Sequence, residues 1–256
     1  MRENRIRTIW QSGGVVVCGA CGLDSLYAAE VMAHEGFDAL IIDTQHAAID
    51  YKDALAMMQV ISATPTMPIV RIGWNAPNLA MRMLDAGAYA VICPMVNSRA
   101  ECEAFVRACL YAPKGYRSNG PIRGGLYGGP DYLDRANETI LPMIQIETAE
   151  AVERADEILS VPGLGGIYLG PTDLALTLGL DPRSQLDDAR LWRAIERVLA
   201  ACVRNKVLPG LYTPTPEWAR RAIGLGARLI SAGSDVGFIR AGAAQNLPKF
   251  REVARV

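Results

Sequence analysis

The chain has 256 residues, of which 50% are hydrophobic, and this length suits one α/β barrel. Its formal net charge is −1 and no block of like charges occurs, so no nucleic-acid or membrane-surface partner is expected. No apolar run reaches the length of a membrane span, and the polar start is unlike a secretory leader. These features predict a cytoplasmic protein with a small-molecule partner.

Eight short apolar runs alternate with amphipathic segments along the chain. In order, the strand candidates are VVVCG, ALIID, PIVRI, AVICPMV, PMIQIE, GIYLG, LPGLY and RLISAG. The intervening segments include YKDALAMMQVISA, AEAVERADEIL and LWRAIERVLAACVRNK, which predict helices that cross back over a parallel sheet. The alternation predicts a (β/α)8 TIM barrel that forms a single domain over residues 1–256. A doubly wound sheet is the alternative, but the glycine-rich phosphate motifs typical of such sheets are absent.

The cysteines include one C-x-x-C pair, Cys18 and Cys21, which raises the question of a zinc or redox site. No second such pair occurs, and both histidines lie well downstream. A structural zinc ion needs four ligands, whereas free cysteine commonly packs as a small hydrophobic residue. We therefore expect buried thiols.

One long stretch has no helical or strand pattern, and it runs from Tyr111 to Tyr132. Its sequence, YAPKGYRSNGPIRGGLYGGPDY, is rich in Gly and Pro. Long irregular segments in compact enzymes are usually functional or mobile, so this stretch is predicted to be an active-site lid.

Acidic residues follow the fifth and sixth predicted strands, where a barrel places its catalytic groups. The fifth strand ends in Gln145-Ile146-Glu147, and the sixth runs into Gly170-Pro171-Thr172-Asp173. Neighbouring strands lie about 4.8 Å apart, so the carboxylates of Glu147 and Asp173 are expected to converge and to bind Mg²⁺ or Mn²⁺. The alternative is that each carboxylate caps the helix that follows it.

The second strand ends in Asp43-Thr44-Gln45-His46, where an imidazole would transfer a proton near neutral pH with Asp43 as its partner. The other histidine, His34, has the pattern of an ordinary helical residue. Arg71 interrupts the apolar third strand, and a buried guanidinium needs an anion. That anion is either structural, Asp43 or Asp85, or the carboxylate or enolate of a substrate.

Lysine is scarce, and its positions argue against imine chemistry. An imine-forming aldolase needs a lysine on a strand or at its end, but Lys52, Lys114, Lys206 and Lys249 all lie elsewhere in the pattern. The serine motif G-x-S-x-G is also absent. A metal-stabilised enolate is the chemistry that remains.

Six segments together resemble the HpcH/HpaI aldolase family of pyruvate/phosphoenolpyruvate-type barrels. They are GFDALIIDTQHAAIDY, LDAGAYAVICPMV, YAPKGYRSNG, DYLDRANE, PMIQIET and GIYLGPTDLALTLG, and they follow one another over most of the chain. The resemblance implies a class II aldolase that uses a divalent metal, with Mg²⁺ or Mn²⁺ ahead of Co²⁺ or Zn²⁺. Such an enzyme cleaves a 4-hydroxy-2-oxo acid to pyruvate and an aldehyde.

The resemblance also implies roles for individual residues. It makes Glu147 and Asp173 the metal ligands, His46 with Asp43 the acid/base dyad, and Arg71 the stabiliser of the enolate oxygen. It gives Gln145 a place in the site wall, and it assigns the pyruvate carboxylate to the backbone around Gly170 and Thr172. Asp85 would reach a neighbouring subunit's site, in a hexamer built as a trimer of dimers with exchanged C-terminal helices.

Two departures from the family pattern bear on substrate choice. Thr44-Gln45 stands where many relatives carry Gly-Glu, and the loop RSNGPIRGGLYGG lacks their arginine-alanine stretch. Two other functions stay open beside the aldolase. One is a different route to the same enolate, such as decarboxylation of oxaloacetate, and the other is a non-catalytic barrel that binds a 2-oxo acid.

Overall fold

In a computed structural model that describes residues 1–255, eight parallel strands surround a central core; the end of the predicted domain, Val256, lies outside the described residues. The strands are β1 (Val16–Cys21), β2 (Ala39–Asp43), β3 (Met67–Arg71), β4 (Ala90–Cys93), β5 (Leu141–Ile144), β6 (Gly166–Ile167), β7 (Gly210–Leu211) and β8 (Leu229–Ser234). Their order is β6-β5-β4-β3-β2-β1-β8-β7, and the bridges Gly166 to Leu208 and Leu169 to Leu211 join β6 to β7. The predicted (β/α)8 barrel is confirmed.

Helices precede β1, occupy the connections between the strands and follow β8. They are α1 (Arg5–Gln11), α2 (Leu26–His34), α3 (Tyr51–Ile61), α4 (Pro77–Asp85), α5 (Arg99–Cys109), α6 (Ile122–Gly128), α7 (Tyr132–Thr139), α8 (Ala149–Glu153), α9 (Ala155–Leu159), α10 (Pro171–Thr177), α11 (Ala189–Asn205), α12 (Pro216–Gly224) and α13 (Asp235–Val253). The predicted helix AEAVERADEIL is divided into α8 and α9 at Arg154, whose backbone leaves the helical region with φ −100° and ψ 12°. Among the described residues, no helix is both long and apolar enough to cross a bilayer.

Local sequence signals set the ends of these helices. Ser98 and Glu101 form a reciprocal capping box at the start of α5, which satisfies backbone N–H groups that a helix leaves unpaired. At the other end of α11, Lys206 takes a left-handed conformation and its N–H bonds back to the last turn. Such caps fix where each helix leaves the barrel wall.

The core has two layers because successive side chains of a strand point to opposite faces. Ile41 and Ile69 face the barrel interior, while their neighbours Ile42 and Val70 pack against the surrounding helices. Strands buried on both faces need apolar residues at every position, which explains runs such as ALIID. Each of these four side chains is at most 3% exposed.

The Gly- and Pro-rich stretch from Tyr111 to Tyr132 lies at the amino end of the barrel. It follows α5 and precedes β5, so it belongs to a helix-to-strand connection, whereas active sites of barrels form at strand-to-helix connections. Arg123 within it donates hydrogen bonds to the carbonyls of Ala86 and Met58, next to or within the last turns of α4 and α3. The prediction that this stretch is a lid over the chain's own active site is wrong.

The six cysteines are buried and unpaired, as predicted. Burial raises the pKa of Cys18 and that of Cys21 to about 12, so neither thiol ionises near neutral pH. The C-x-x-C pair is therefore part of the packed first strand.

Candidate active site

A cavity of about 390 Å³ opens at the carboxyl ends of the strands, where a barrel forms its active site. Its lining contains seven of the residues that the sequence predicts for the site: Asp43, His46, Arg71, Gln145, Gly170, Thr172 and Asp173. The other lining residues are Ala20, Cys21, Gly22, Ile41, Tyr168, Pro171, Tyr212 and Ser234. The ends of six strands thus contribute polar side chains to this cavity.

Glu147 lies just behind this cavity, three residues after the end of β5, and is 3% exposed. One carboxylate oxygen accepts the N–H of Met95 at 2.7 Å, and the other accepts the side-chain amide of Gln145 at 2.8 Å. Burial raises the pKa of Glu147 to about 7; the Met95 N–H opposes this shift, and the charge of Asp173 adds to it. A cation bound beside the two carboxylates would offset the burial and the repulsion that raise this pKa.

The N–H that reaches Glu147 depends on an unusual backbone conformation. Met95 has a φ of 54°, in the left-handed region that residues other than glycine seldom adopt. This conformation directs its N–H to the carboxylate of Glu147. Met95 is a site residue that the sequence pattern does not reveal.

Glycine is required at position 170 because Glu147 occupies the space beside it. A Cβ atom there would lie 2.5 Å from a carboxylate oxygen of Glu147 and 3.3 Å from the side-chain nitrogen of Gln145. Gly170 also precedes α10, which carries Asp173 in its first turn. The lack of a side chain at Gly170 lets the carboxylate of Glu147 lie against the turn that leads to Asp173.

Neither carboxylate serves as the helix cap that the alternative interpretation requires. The N-cap of α8 is Thr148, whose own hydroxyl accepts the N–H of Ala151. The N-cap of α10 is Gly170. The side chain of Glu147 is instead directed toward Met95 and Gln145.

The oxygen atoms near Glu147 suit a divalent cation that prefers oxygen ligands and takes few of them from the protein. Glu147 and Asp173 supply the carboxylates, and the buried carbonyl oxygen of Gln145 has no hydrogen-bond partner within residues 1–255. No cluster of three His, Cys, Asp or Glu side chains suited to a metal occurs in the described residues. Mg²⁺ accepts such sparse ligation, because water and substrate oxygens complete its coordination.

Asp43 and Arg71 form a two-pronged ion pair across β2 and β3, where they are direct partners in the strand register. Arg71 donates from Nε at 3.0 Å and from Nη2 at 2.5 Å to the two oxygens of Asp43. Burial alone would raise the pKa of Asp43, but Arg71 and the N–H groups of Gln45 and His46 hold it below its usual value. Asp43 and Asp85 were the two structural partners considered for Arg71, and Asp43 is the one that pairs with it.

His46 lines the cavity on a turn that Asp43 organises. Asp43 accepts the backbone N–H of Gln45 at 3.0 Å and that of His46 at 3.3 Å. The imidazole itself is exposed and makes no hydrogen bond within residues 1–255, so the predicted pairing of its ring with Asp43 is not present. The ring is therefore available to a ligand in the cavity.

Asp85 lies away from this cavity, at the end of α4. It forms an ion pair with Arg117 at 2.7 Å, and Arg117 lies between the rings of Tyr111 and Tyr132. Asp85 therefore cannot act in the cavity of its own chain. A role in a neighbouring subunit stays a prediction.

Three hydroxyl-bearing residues in the lining escaped the sequence analysis: Tyr168, Tyr212 and Ser234. Each lies at or just beyond the end of a predicted strand, within GIYLG, LPGLY or the residue after RLISAG. A search of these strand ends for neutral polar groups as well as charges would have found them. The fold and the site together define a (β/α)8-barrel enzyme with an acidic pocket beside an arginine and a histidine.

Comparisons with known proteins agree with this class. The family model for HpcH/HpaI aldolase/citrate lyase matches residues 21–241. The chain is 38% identical over 242 residues to a hydroxypyruvate/pyruvate aldolase of Rhizorhabdus wittichii, covering 94% of this chain and 96% of that protein. It is 34% identical over 236 residues to a 4-hydroxy-2-oxo-heptane-1,7-dioate aldolase of Escherichia coli, covering 91% of this chain and 89% of that protein.

A solved structure of an HpcH/HpaI aldolase/citrate lyase family protein from Burkholderia cenocepacia is also similar. The TM-score is 0.90 at 29% identity, covering 98% of this chain and all of that one. The chain belongs to the HpcH/HpaI aldolase/citrate lyase family, as its motifs predict, and it is a lyase.

Proposed function

We propose that the chain is a class II aldolase that uses a divalent metal to cleave a 4-hydroxy-2-oxo acid into pyruvate and an aldehyde, and that also catalyses the reverse condensation. The observation that carries this proposal is the convergence of Asp173, Arg71 and His46 on one cavity, with the carboxylate of Glu147 buried directly behind it. The names of the two relatives support it, since both describe aldolases of small oxo acids.

In this proposal Glu147 and Asp173 hold the cation, with Gln145 orienting Glu147 through its amide. A bound Mg²⁺ or Mn²⁺ would polarise the 2-oxo group and stabilise negative charge that develops on its oxygen. The N–H groups of Arg71 that Asp43 does not occupy would donate to the same oxygen, and the backbone around Gly170 and Thr172 would receive the carboxylate of pyruvate. His46 takes the proton of the 4-hydroxyl group as the C3–C4 bond breaks.

The positions of the lysines favour this route over an imine. Lys52 lies in α3, Lys206 caps α11, Lys249 lies in α13, and Lys114 lies in the stretch at the amino end of the barrel. None of these residues lines the cavity. An imine mechanism needs a lysine amine in the cavity to attack the 2-oxo group, and the lining contains no lysine.

We also propose that the single barrel domain assembles into a hexamer of three dimers in the cytoplasm, with α13 exchanged between subunits. The second half of α13 leaves Leu247, Phe250 and Val253 between 52% and 73% exposed, which is unusual for apolar side chains of an isolated chain. Ile122 and Leu126 of α6 are 90% and 85% exposed. Subunit contacts would bury both helices and would bring Asp85 toward a neighbouring cavity.

The metal is tested by chelation. EDTA should abolish turnover of a 4-hydroxy-2-oxo acid and proton–deuterium exchange at the methyl group of pyruvate, and Mg²⁺ or Mn²⁺ should restore both. Exchange follows enolate formation alone, so it reports the step that the cation assists. A covalent adduct trapped by borohydride with pyruvate would contradict the proposal, because only an imine gives that product.

A further inference from the structure

The side of the cavity opposite Arg71 is formed by the ends of β6, β7 and β8, which are consecutive in the barrel. It carries Tyr168, Tyr212 and Ser234, a set we call the hydroxyl wall. If pyruvate and the metal occupy the side of Glu147, Asp173 and Arg71, the remaining space along the hydroxyl wall receives the other reactant, the aldehyde.

Two groups of the hydroxyl wall have unused hydrogen-bonding capacity. The hydroxyl of Tyr212 makes no hydrogen bond to any of residues 1–255, and the residue is 39% exposed. The hydroxyl oxygen of Ser234 accepts the N–H of Gly237 at 3.1 Å, and its proton remains available to donate. Tyr168 differs, because its hydroxyl is buried and interacts with Ser231. Tyr212 and Ser234 can therefore pair with a polar, uncharged group of a ligand.

The hydroxyl wall has no lysine or arginine side chain to receive a carboxylate. Arg71 is the one Lys or Arg side chain among the residues that line the cavity, and it is engaged by Asp43 on the opposite side. Behind the wall lies Asp235, which is 3% exposed and accepts the N–H groups of Gly22 at 2.9 Å and Leu23 at 3.1 Å. An aldehyde that ends in a carboxylate would thus find no cationic side chain along the hydroxyl wall and would lie near the buried carboxyl group of Asp235, which disfavours its binding.

We propose that the aldehyde partner is short, uncharged and hydroxylated, and that Tyr212 and Ser234 select it over an aldehyde that ends in a carboxylate. This inference rests on the proposed aldolase function. When the aldehyde binds, Tyr212 and Ser234 lose their hydrogen bonds to water, and a hydroxyl group of the aldehyde replaces those bonds. An analogue without that hydroxyl leaves them unpaired, and such sites reject the analogue.

The first test compares acceptors in condensation with pyruvate, using the metal-loaded enzyme. The probes are three short aldehydes. Glycolaldehyde carries a hydroxyl group, succinic semialdehyde carries a carboxylate, and acetaldehyde carries neither. We expect kcat/KM to be at least about tenfold higher for glycolaldehyde than for succinic semialdehyde. Equal values, or a preference for succinic semialdehyde, would overturn the inference.

The second test assigns the preference to Tyr212. In Tyr212→Phe, the ratio of kcat/KM for glycolaldehyde to that for acetaldehyde should fall about fivefold, because only the hydroxylated substrate loses a partner. In Tyr212→Arg, the ratio for succinic semialdehyde to glycolaldehyde should rise about tenfold, because the wall gains a cation. Tyr27→Phe is the matched control, since Tyr27 is 76% exposed on α2 and outside the lining. Unchanged ratios in both Tyr212 variants would contradict the assignment.

Deuterium exchange at the pyruvate methyl separates failure of this inference from failure of the aldolase proposal. Exchange together with a preference for succinic semialdehyde rejects the acceptor selection alone. Loss of both exchange and condensation in the metal-loaded enzyme rejects the aldolase proposal itself.

Discussion

Arg71 and Asp43 show how one buried pair can serve both the fold and the chemistry. The two-pronged contact uses two N–H groups of the guanidinium and leaves others for the cavity. An ammonium group has no planar fork, so a lysine there could not hold Asp43 and an enolate oxygen at once.

Arg71→Lys should therefore be nearly as damaging as Arg71→Ala, with turnover lower by about 10²-fold or more in both. The matched control is Arg204→Lys, because Arg204 makes a similar two-pronged contact with Asp156 on the surface. Steady-state kinetics with circular dichroism would check this. Near-normal rates in Arg71→Lys, with the fold intact, would show that Arg71 is only a structural ion-pair residue.

His46 and Glu147 have different proposed tasks, so their variants should fail differently. His46→Ala should still bind metal and pyruvate but lose aldol cleavage by about 10²–10⁴-fold, the usual contribution of a positioned acid/base group. It should keep more oxaloacetate decarboxylation, which removes no 4-hydroxyl proton. Glu147→Gln should lose the metal itself. Titration calorimetry and the two assays check this, and a His46 variant that no longer binds metal, or loses both activities equally, would contradict it.

At the scale of elements, the site depends on how closely the turn after β6 approaches the side chain of Glu147, which follows β5. Gly170→Ala would place a methyl group 2.5 Å from an oxygen of Glu147, so the carboxylate or the turn must move. We expect metal affinity and kcat to fall while the barrel stays folded. Gly224→Ala in α12 is the matched control, because nothing lies within 4 Å of its added Cβ. Normal metal affinity in Gly170→Ala would mean that the close approach has no role in binding.

The sequence predicts the strands well and their ends less well. ALIID coincides with β2, whereas PMIQIE runs on past the end of β5 at Ile144, because Ile146 continues the strand-like alternation between Gln145 and Glu147. Charged residues after strands were identifiable since a barrel gathers strand ends. Met95 was not, because its contribution is a backbone N–H set by a positive φ.

The Gly and Pro content of the stretch from Tyr111 to Tyr132 indicates a loop but not the end of the barrel at which the loop lies. Helix α5 precedes it and strand β5 follows it, and a connection from a helix to a strand lies at the amino end of a barrel. The ring of His46 makes no hydrogen bond to Asp43, and the reason is different. Asp43 has a stronger partner in Arg71, directly opposite on the next strand.

At the scale of the whole molecule, the second half of α13 carries large apolar side chains that its own barrel leaves exposed. Phe250→Lys combined with Val253→Lys should shift the assembly toward smaller species, because both side chains are more than 70% exposed in the single chain. Val203→Lys is the control, since Val203 is 62% exposed on α11. Sedimentation velocity checks this, and a monomeric parent, or an unchanged assembly in the double variant, would contradict the exchanged helix.

The burial of every cysteine has a practical consequence. Thiol reagents attack the thiolate, and the burial that raises the pKa of Cys18, Cys21 and Cys102 to about 12 also keeps reagents out. A cysteine introduced at an exposed position such as Tyr27 would therefore be the reactive one among seven, with none of the native six removed. The native chain is thus a ready background for attaching a single fluorophore or spin label.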